Sequence, residues 1–149
     1  MIYRIVDLGR DYHGKIDDFA EARNSFLREW PDDHYILYKD SDVEAPQMLL
    51  DYIALLEPKY PWYDVRQINL IDDRYQPLQN PFYTGVLVSN KCRWKGRVHE
   101  KVYPRDPHGV IDIPLIHNHK GPTLYNGGSP PRVLLAAKKL WEITRHGYR

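Results

Sequence analysis

The chain has 149 residues, of which 28% are charged and 42% hydrophobic, with a formal net charge of +1 and one cysteine, Cys92. A balance this near neutral gives no global field toward nucleic acid or an anionic membrane, and a single cysteine excludes an internal disulfide and any multi-cysteine zinc site. No apolar run approaches the ~20 residues of a membrane span and the opening MIYRIVDLGRD lacks a secretory apolar region, so the expectation is one cytoplasmic domain without a transmembrane segment or nucleic-acid partner.

Residues 2–6 read as a β-strand, and 7–17, polar and carrying Gly9 and Gly14, as a loop. The next segment predicts a helix over 18–29: Asp18 stands where a cap is wanted, Glu21 follows three residues later, and Phe19, Ala22, Phe26, Leu27 and Trp30 share one face. Trp30-Pro31-Asp32-Asp33 stops it.

A strand over 34–39 then climbs into Asp40-Ser41-Asp42. An acidic cluster at the carboxyl end of a strand, ahead of a helix, lies where open α/β sheets place ligands. Two carboxylates two residues apart can hold a hard divalent cation, which in turn holds phosphate oxygens; the plainer alternative is a solvated turn. Pro46 suits the first position of a helix over 46–57 that buries Leu49, Leu50, Ile53 and Leu56 and ends at Pro58.

Residues 59–64, with Pro61 and three aromatics just after Pro58, read as a loop or lid. Strands are predicted over 65–71, 74–78 (across an Asp72-Asp73 turn), 84–89 and 110–116, with Pro114 arguing for a strand end or edge. Residues 91–98 are basic around Trp94, 117–131 form a loop, and 131–145 a last helix with Val133, Leu134, Ala137, Leu140 and Trp141 on one face. The layout is mixed α/β: a parallel-sheet fragment with crossover helices, then hairpins packed against it.

Three blocks in order carry a resemblance. They are Asp18-Phe19-Ala20-Glu21-Ala22-Arg23-Asn24, Ile36-Leu37-Tyr38-Lys39-Asp40-Ser41-Asp42, and Arg93-Trp94-Lys95-Gly96-Arg97-Val98-His99-Glu100. Over about residues 17–119 the chain resembles the family 2 glycosyltransferases of the GT-A fold, whose members carry a D-F-x-x-A-R-N helix, a strand ending in D-x-D-E and an R-[FWY]-x-G-x-[VI]-H-E block. The resemblance implies an α/β fold, an abbreviated GT-A-like mixed sheet flanked by helices. It implies transfer of a sugar, with inversion, from a nucleoside-diphosphate sugar to an acceptor hydroxyl on a glycan, lipid or protein, with Mn²⁺ or Mg²⁺ as cofactor.

Carried over position by position, it gives Asp42 the metal and Asp40 the ribose or metal shell. Glu100 becomes the general base with His99 beside it; in an extended segment only one of the two would face the cleft. His117, with His119 two residues on, matches a late histidine that ligates metal or diphosphate. Arg23 is expected near the diphosphate or locking the acidic turn, Arg93, Arg97 and Lys120 to add positive charge near phosphate, and Trp94 to stack on the acceptor sugar or fill the core.

Two departures stand out. In the family, strands bearing an acidic nucleotide-binding motif and a D-x-G-S-x-D-x-T segment precede the helix block; here residues 1–15 do, with Asp7-Leu8-Gly9-Arg10-Asp11 as a candidate remnant. Val43 also stands where the Glu of D-x-D-E is usual, with Glu44 one later. These leave two rival expectations: a non-catalytic sugar- or protein-binding relative, with a homo-oligomeric partner covering or completing the shortened sheet, and a metal-dependent phosphodiesterase or pyrophosphatase using the same acidic–histidine cluster.

Overall fold

Residues 1–75, 82–96 and 99–119 are described by a computed structural model. In β2 (Tyr35–Lys39), Tyr35, Ile36, Leu37 and Tyr38 are all buried, although successive side chains point to opposite faces. Such a strand must be covered on both sides, and it is. It pairs in parallel with β1 (Tyr3–Asp7) and antiparallel with β6 (Phe82–Ser89). β4 (Trp62–Ile71) runs antiparallel to β6 and parallel to β9 (Gly109–His119), and β3 (Val43–Glu44) closes on β9. The sheet order is β1-β2-β6-β4-β9-β3, with β5 (Arg74–Tyr75) folded back on β4. β1, β2, β4 and β9 therefore share one direction, and their carboxyl ends emerge along one edge of the sheet.

One face is covered by α2 (Phe19–Glu29) and by a separate two-stranded ribbon of β7 (Arg93–Lys95) and β8 (Lys101–Tyr103). Ala20, Ala22 and Leu27 pack there with Ile36, Tyr38, Trp62, Val88, Trp94 and Val102. The Asp18 side chain accepts from the backbone N–H of Glu21 at 3.1 Å and starts α2. α3 (Gln47–Leu55) covers the opposite face with Leu49 and Ile53, against Leu37, Val65, Leu87, Ile111 and Leu115. Leu49 and Ile53 lie four apart, one turn above the other on the same side of the helix. Far from the carboxyl edge, the His108 ring stacks on Trp62 with centroids 4.2 Å apart, and its Nε2 lies 3.3 Å from Asp64. Among the described residues no helix is long and apolar enough to cross a membrane.

The coarse expectation of a mixed α/β fold holds, and several details change. The predicted loop after β1 contains a helical turn, α1 (Leu8–Asp11), capped by the side chain of Asp7. Pro46 is the cap preceding α3 rather than its first residue, and the helix ends at Leu55; Leu50 and Leu56 are only part-buried. The expected loop over 59–64 is already strand from Trp62. Antiparallel pairs do form in the second half, β4 with β5 and β7 with β8, but β4, β6 and β9 are interior members of the same sheet as β1 and β2 rather than a layer packed against it. Pro114 falls where the β4–β9 register slips between Val65 and Gln67, so its missing N–H interrupts no regular ladder. β9 continues to His119, which puts His117 at a strand end rather than in a loop. The predicted helix over 131–145 and the tip of the 74–78 hairpin lie outside the described residues.

Candidate functional site

Three segments far apart in sequence meet on the face covered by α2. Asn24, 8% exposed, donates from Nδ2 to the carbonyl of Trp94 at 2.9 Å and accepts at Oδ1 from the Trp94 backbone N–H at 2.7 Å. This reciprocal pair fastens β7 to α2 as a third strand would. Tyr38 on β2 donates its hydroxyl to the Arg23 carbonyl at 2.8 Å, and its ring meets the Trp94 indole edge-on with centroids 5.5 Å apart. The Arg23 guanidinium lies over Trp94, 4.7 Å from the ring centroid, and pairs with the Glu100 carboxylate. The side chains of this pair keep 15% and 14% of their exposure. Burial pushes the Arg23 guanidinium below the ordinary arginine value, against the opposing pull of Asp40 and Tyr38.

The acidic turn lies at the carboxyl edge. The Val43 N–H bonds the Asp40 carbonyl at 3.0 Å and closes a four-residue turn, and Lys39 Nζ donates to the Val43 and Asp40 carbonyls at 2.8 and 3.1 Å. β3 leaves this turn and pairs Val43 with His117, which brings the two sequence-distant candidate ligands together. His117 Nε2 lies 2.9 Å from Asp42 Oδ2, with the carboxylate side chain 67% exposed and the histidine 16%. Next to it, Asn118 exchanges two 3.3 Å hydrogen bonds with Asp73 and pins the β4–β5 turn beside His117.

Between these two groups lies a cavity of about 80 Å³, lined by Arg23, Tyr38, Asp40, Val43, Gln67 and Leu115. Arg23 Nε is buried and has no hydrogen-bond acceptor among the described residues. Among the described residues no three His, Cys, Asp or Glu side chains gather closely enough to hold a metal by themselves. The carboxylate of Asp42 and the imidazole of His117 touch, and both are ligand types that Mn²⁺ accepts, so a cation there would need its other ligands from outside the described side chains.

Of the expected site residues, Asp40 and Arg23 share the cavity, Asp42 and His117 touch, and Glu100 joins Arg23. His99 parts from its neighbour: its backbone φ is +57°, so the segment is not extended there, and the residue is exposed while Glu100 turns inward. Glu100 pairs with Arg23, whose guanidinium packs on Trp94. Trp94, 6% exposed, is a core residue, which leaves no open ring face for an acceptor sugar. Arg97 and Lys120 lie outside the described residues, as does the side chain of His119. Sequence reasoning gave no role to Asn24, whose position off the apolar stripe of α2 was the available signal: a short amide there faces a neighbour it can bond. No protein-family model matches the chain, and no curated protein sequence matches it.

Proposed function

We propose that the protein is a metal-dependent glycosyltransferase, moving a sugar from a nucleoside-diphosphate donor to an acceptor hydroxyl with inversion. The observation that carries this reading is the meeting of Asp42 and His117 at 2.9 Å, 75 residues apart in sequence, beside a cavity lined by Asp40 and Arg23. A carboxylate–imidazole pair next to a buried guanidinium suits a diphosphate and its cation, and it sits at the carboxyl ends of the parallel strands, where such sheets take ligands. The resemblance of the three sequence blocks supports the same reading.

In this reading Asp42 and His117 hold Mn²⁺ or Mg²⁺, which when bound offsets the charge of the departing diphosphate. Arg23 donates to a phosphate oxygen from the cavity wall, and Asp40 orients the donor from the neighbouring turn. Glu100 takes the proton of the acceptor hydroxyl. Its pairing with Arg23 fixes the orientation of the carboxylate.

The same ion pair favours one alternative, a non-catalytic sugar-binding protein in which Glu100 serves only to neutralise Arg23. Calorimetric titration of UDP-, GDP- and TDP-sugars, with and without Mn²⁺, into wild type and Asp42→Ala tests the proposal. The expected result is metal-dependent binding of one donor that disappears in the variant. No donor binding at millimolar concentration by folded protein rejects the enzyme, metal-independent sugar binding establishes the alternative, and donor hydrolysis indifferent to any acceptor identifies a pyrophosphatase instead.

A further inference from the structure

Asp7, at the end of β1, is 5% exposed and has no part in the proposed chemistry. A buried carboxylate is costly unless its oxygens are satisfied, and those of Asp7 are satisfied by two neighbours. Its Oδ1 accepts from the Gly9 backbone N–H at 3.0 Å. The Ser41 hydroxyl donates to the same carboxylate, its Oγ 2.9 Å from Oδ1 and 2.8 Å from Oδ2. Ser41 is the middle residue of Asp40-Ser41-Asp42, so the central hydroxyl of the acidic turn is anchored to the neighbouring strand.

Gly9 adds a second restraint. A Cβ placed on it would stand 3.0 Å from Ser41 Oγ and 3.4 Å from Asp7 Oδ1, closer than the hydroxyl tolerates without shifting. The α1 backbone thus walls Ser41 on one side while Asp7 holds it on another. A hydrogen bond to a charged acceptor is stronger and more directional than one between neutral groups. With its middle residue fixed, a hydrogen-bonded turn has little freedom left to rotate the side chains on either side.

From this geometry we infer that Asp7 and Ser41 are positioning residues, which set the orientation of Asp42 toward His117 and thereby the cation affinity of the site. The inference rests on the metal reading given above. It assigns Asp7 and Gly9, which lie in the Asp7–Asp11 segment noted as a candidate remnant of a nucleotide-binding motif, to bracing the acidic turn.

The probe is Mn²⁺ alone, with free ion counted by electron paramagnetic resonance against wild type, Ser41→Ala, Ser41→Thr and Gly9→Ala, alongside the thermal midpoint of each. Partners that orient a metal ligand typically change affinity by about 10–100-fold when removed, so Ser41→Ala should weaken Mn²⁺ binding about tenfold, and Ser41→Thr, which keeps the hydroxyl, should restore it. Gly9→Ala is the discriminating variant. Alanine is the better helix former but its Cβ crowds Ser41 Oγ, so the brace predicts weaker Mn²⁺ binding whichever way the midpoint moves, whereas a purely structural role predicts unchanged Mn²⁺ binding. Mn²⁺ binding equal to wild type in both Ser41→Ala and Gly9→Ala overturns the brace and leaves the metal site standing. Wild type that binds no Mn²⁺ overturns the brace and the metal reading together.

Discussion

The two faces of the sheet are held down by different physics. On one, α3 contributes Leu49 and Ile53, fully buried, to an apolar layer; its first turn has no side-chain cap, and its carboxyl end is held by the Met1 ammonium, which donates to the carbonyls of Ala54 and Leu56 at 3.1 and 2.9 Å. On the other, α2 is capped by Asp18 and bonded to its neighbours through Asn24, Arg23 and the hydroxyl of Tyr38. Apolar contact is indifferent to small rotations, while paired hydrogen bonds and a stacked guanidinium fix distance and direction. The face covered by α2 is the richer in side-chain hydrogen bonds, and the cavity at its edge also draws Val43 and Leu115 from the apolar layer opposite.

Substitutions on each face test that division. Leu49→Ala should be the most disruptive to stability, by about 2–5 kcal/mol in urea unfolding through the cavity it leaves, with Mn²⁺ and donor affinity of the folded fraction unchanged. A loss of affinity in that variant would mean the faces are coupled. Asn24→Ala leaves the Trp94 N–H and carbonyl without partners and should cost about 1–3 kcal/mol. Unlike Leu49→Ala, it should also weaken donor binding, because β7 and the ring under Arg23 come loose.

Arg23→Lys should hardly move the unfolding midpoint yet lower donor affinity roughly tenfold, since an ammonium cannot pair with Glu100 and present a second donor in the same plane. The smallest effect is expected at the far end of the sheet. Burial raises the Asp64 carboxyl above its ordinary value, with His108 and Arg105 opposing. Its contribution is therefore fully present below the unfolded value and lost as pH rises through the folded one. Asp64→Asn should remove that slope and give a slightly higher midpoint at neutral pH; an equal drop at every pH would show that the contact with His108 dominates.

Much of the directional face could be read in the sequence. The spacing of Phe19, Ala22, Phe26 and Leu27 and the Asp18–Glu21 pair give α2 almost to the residue, because capping and helical period are local properties. The acidic turn after β2 was equally visible. The placement of β4, β6 and β9 inside one sheet was not, since strand order depends on pairings between distant residues that periodicity does not encode. The same holds for β3, two residues whose only signature is the partner that β9 supplies. Glu100 and His99 were treated as an alternating pair, and the left-handed backbone at His99 broke that alternation; a bulky residue gives no sequence warning of a positive φ.

The pairing of Val43 with His117 bears on how the molecule assembles. It closes the chain between two positions 74 residues apart, and closing a loop of that length costs more chain entropy than the contacts within α2. The two candidate ligands come into register only when β3 has docked on β9. Any cation that bridges them binds the finished fold and not its precursors, and its occupancy adds to stability by mass action, about 2.7 kcal/mol at a hundredfold excess over Kd. Ion concentration in the surroundings would then set how long the strand stays docked, so that opening of this sheet edge, followed by amide hydrogen exchange at Val43 and His117, slows as the ion is added.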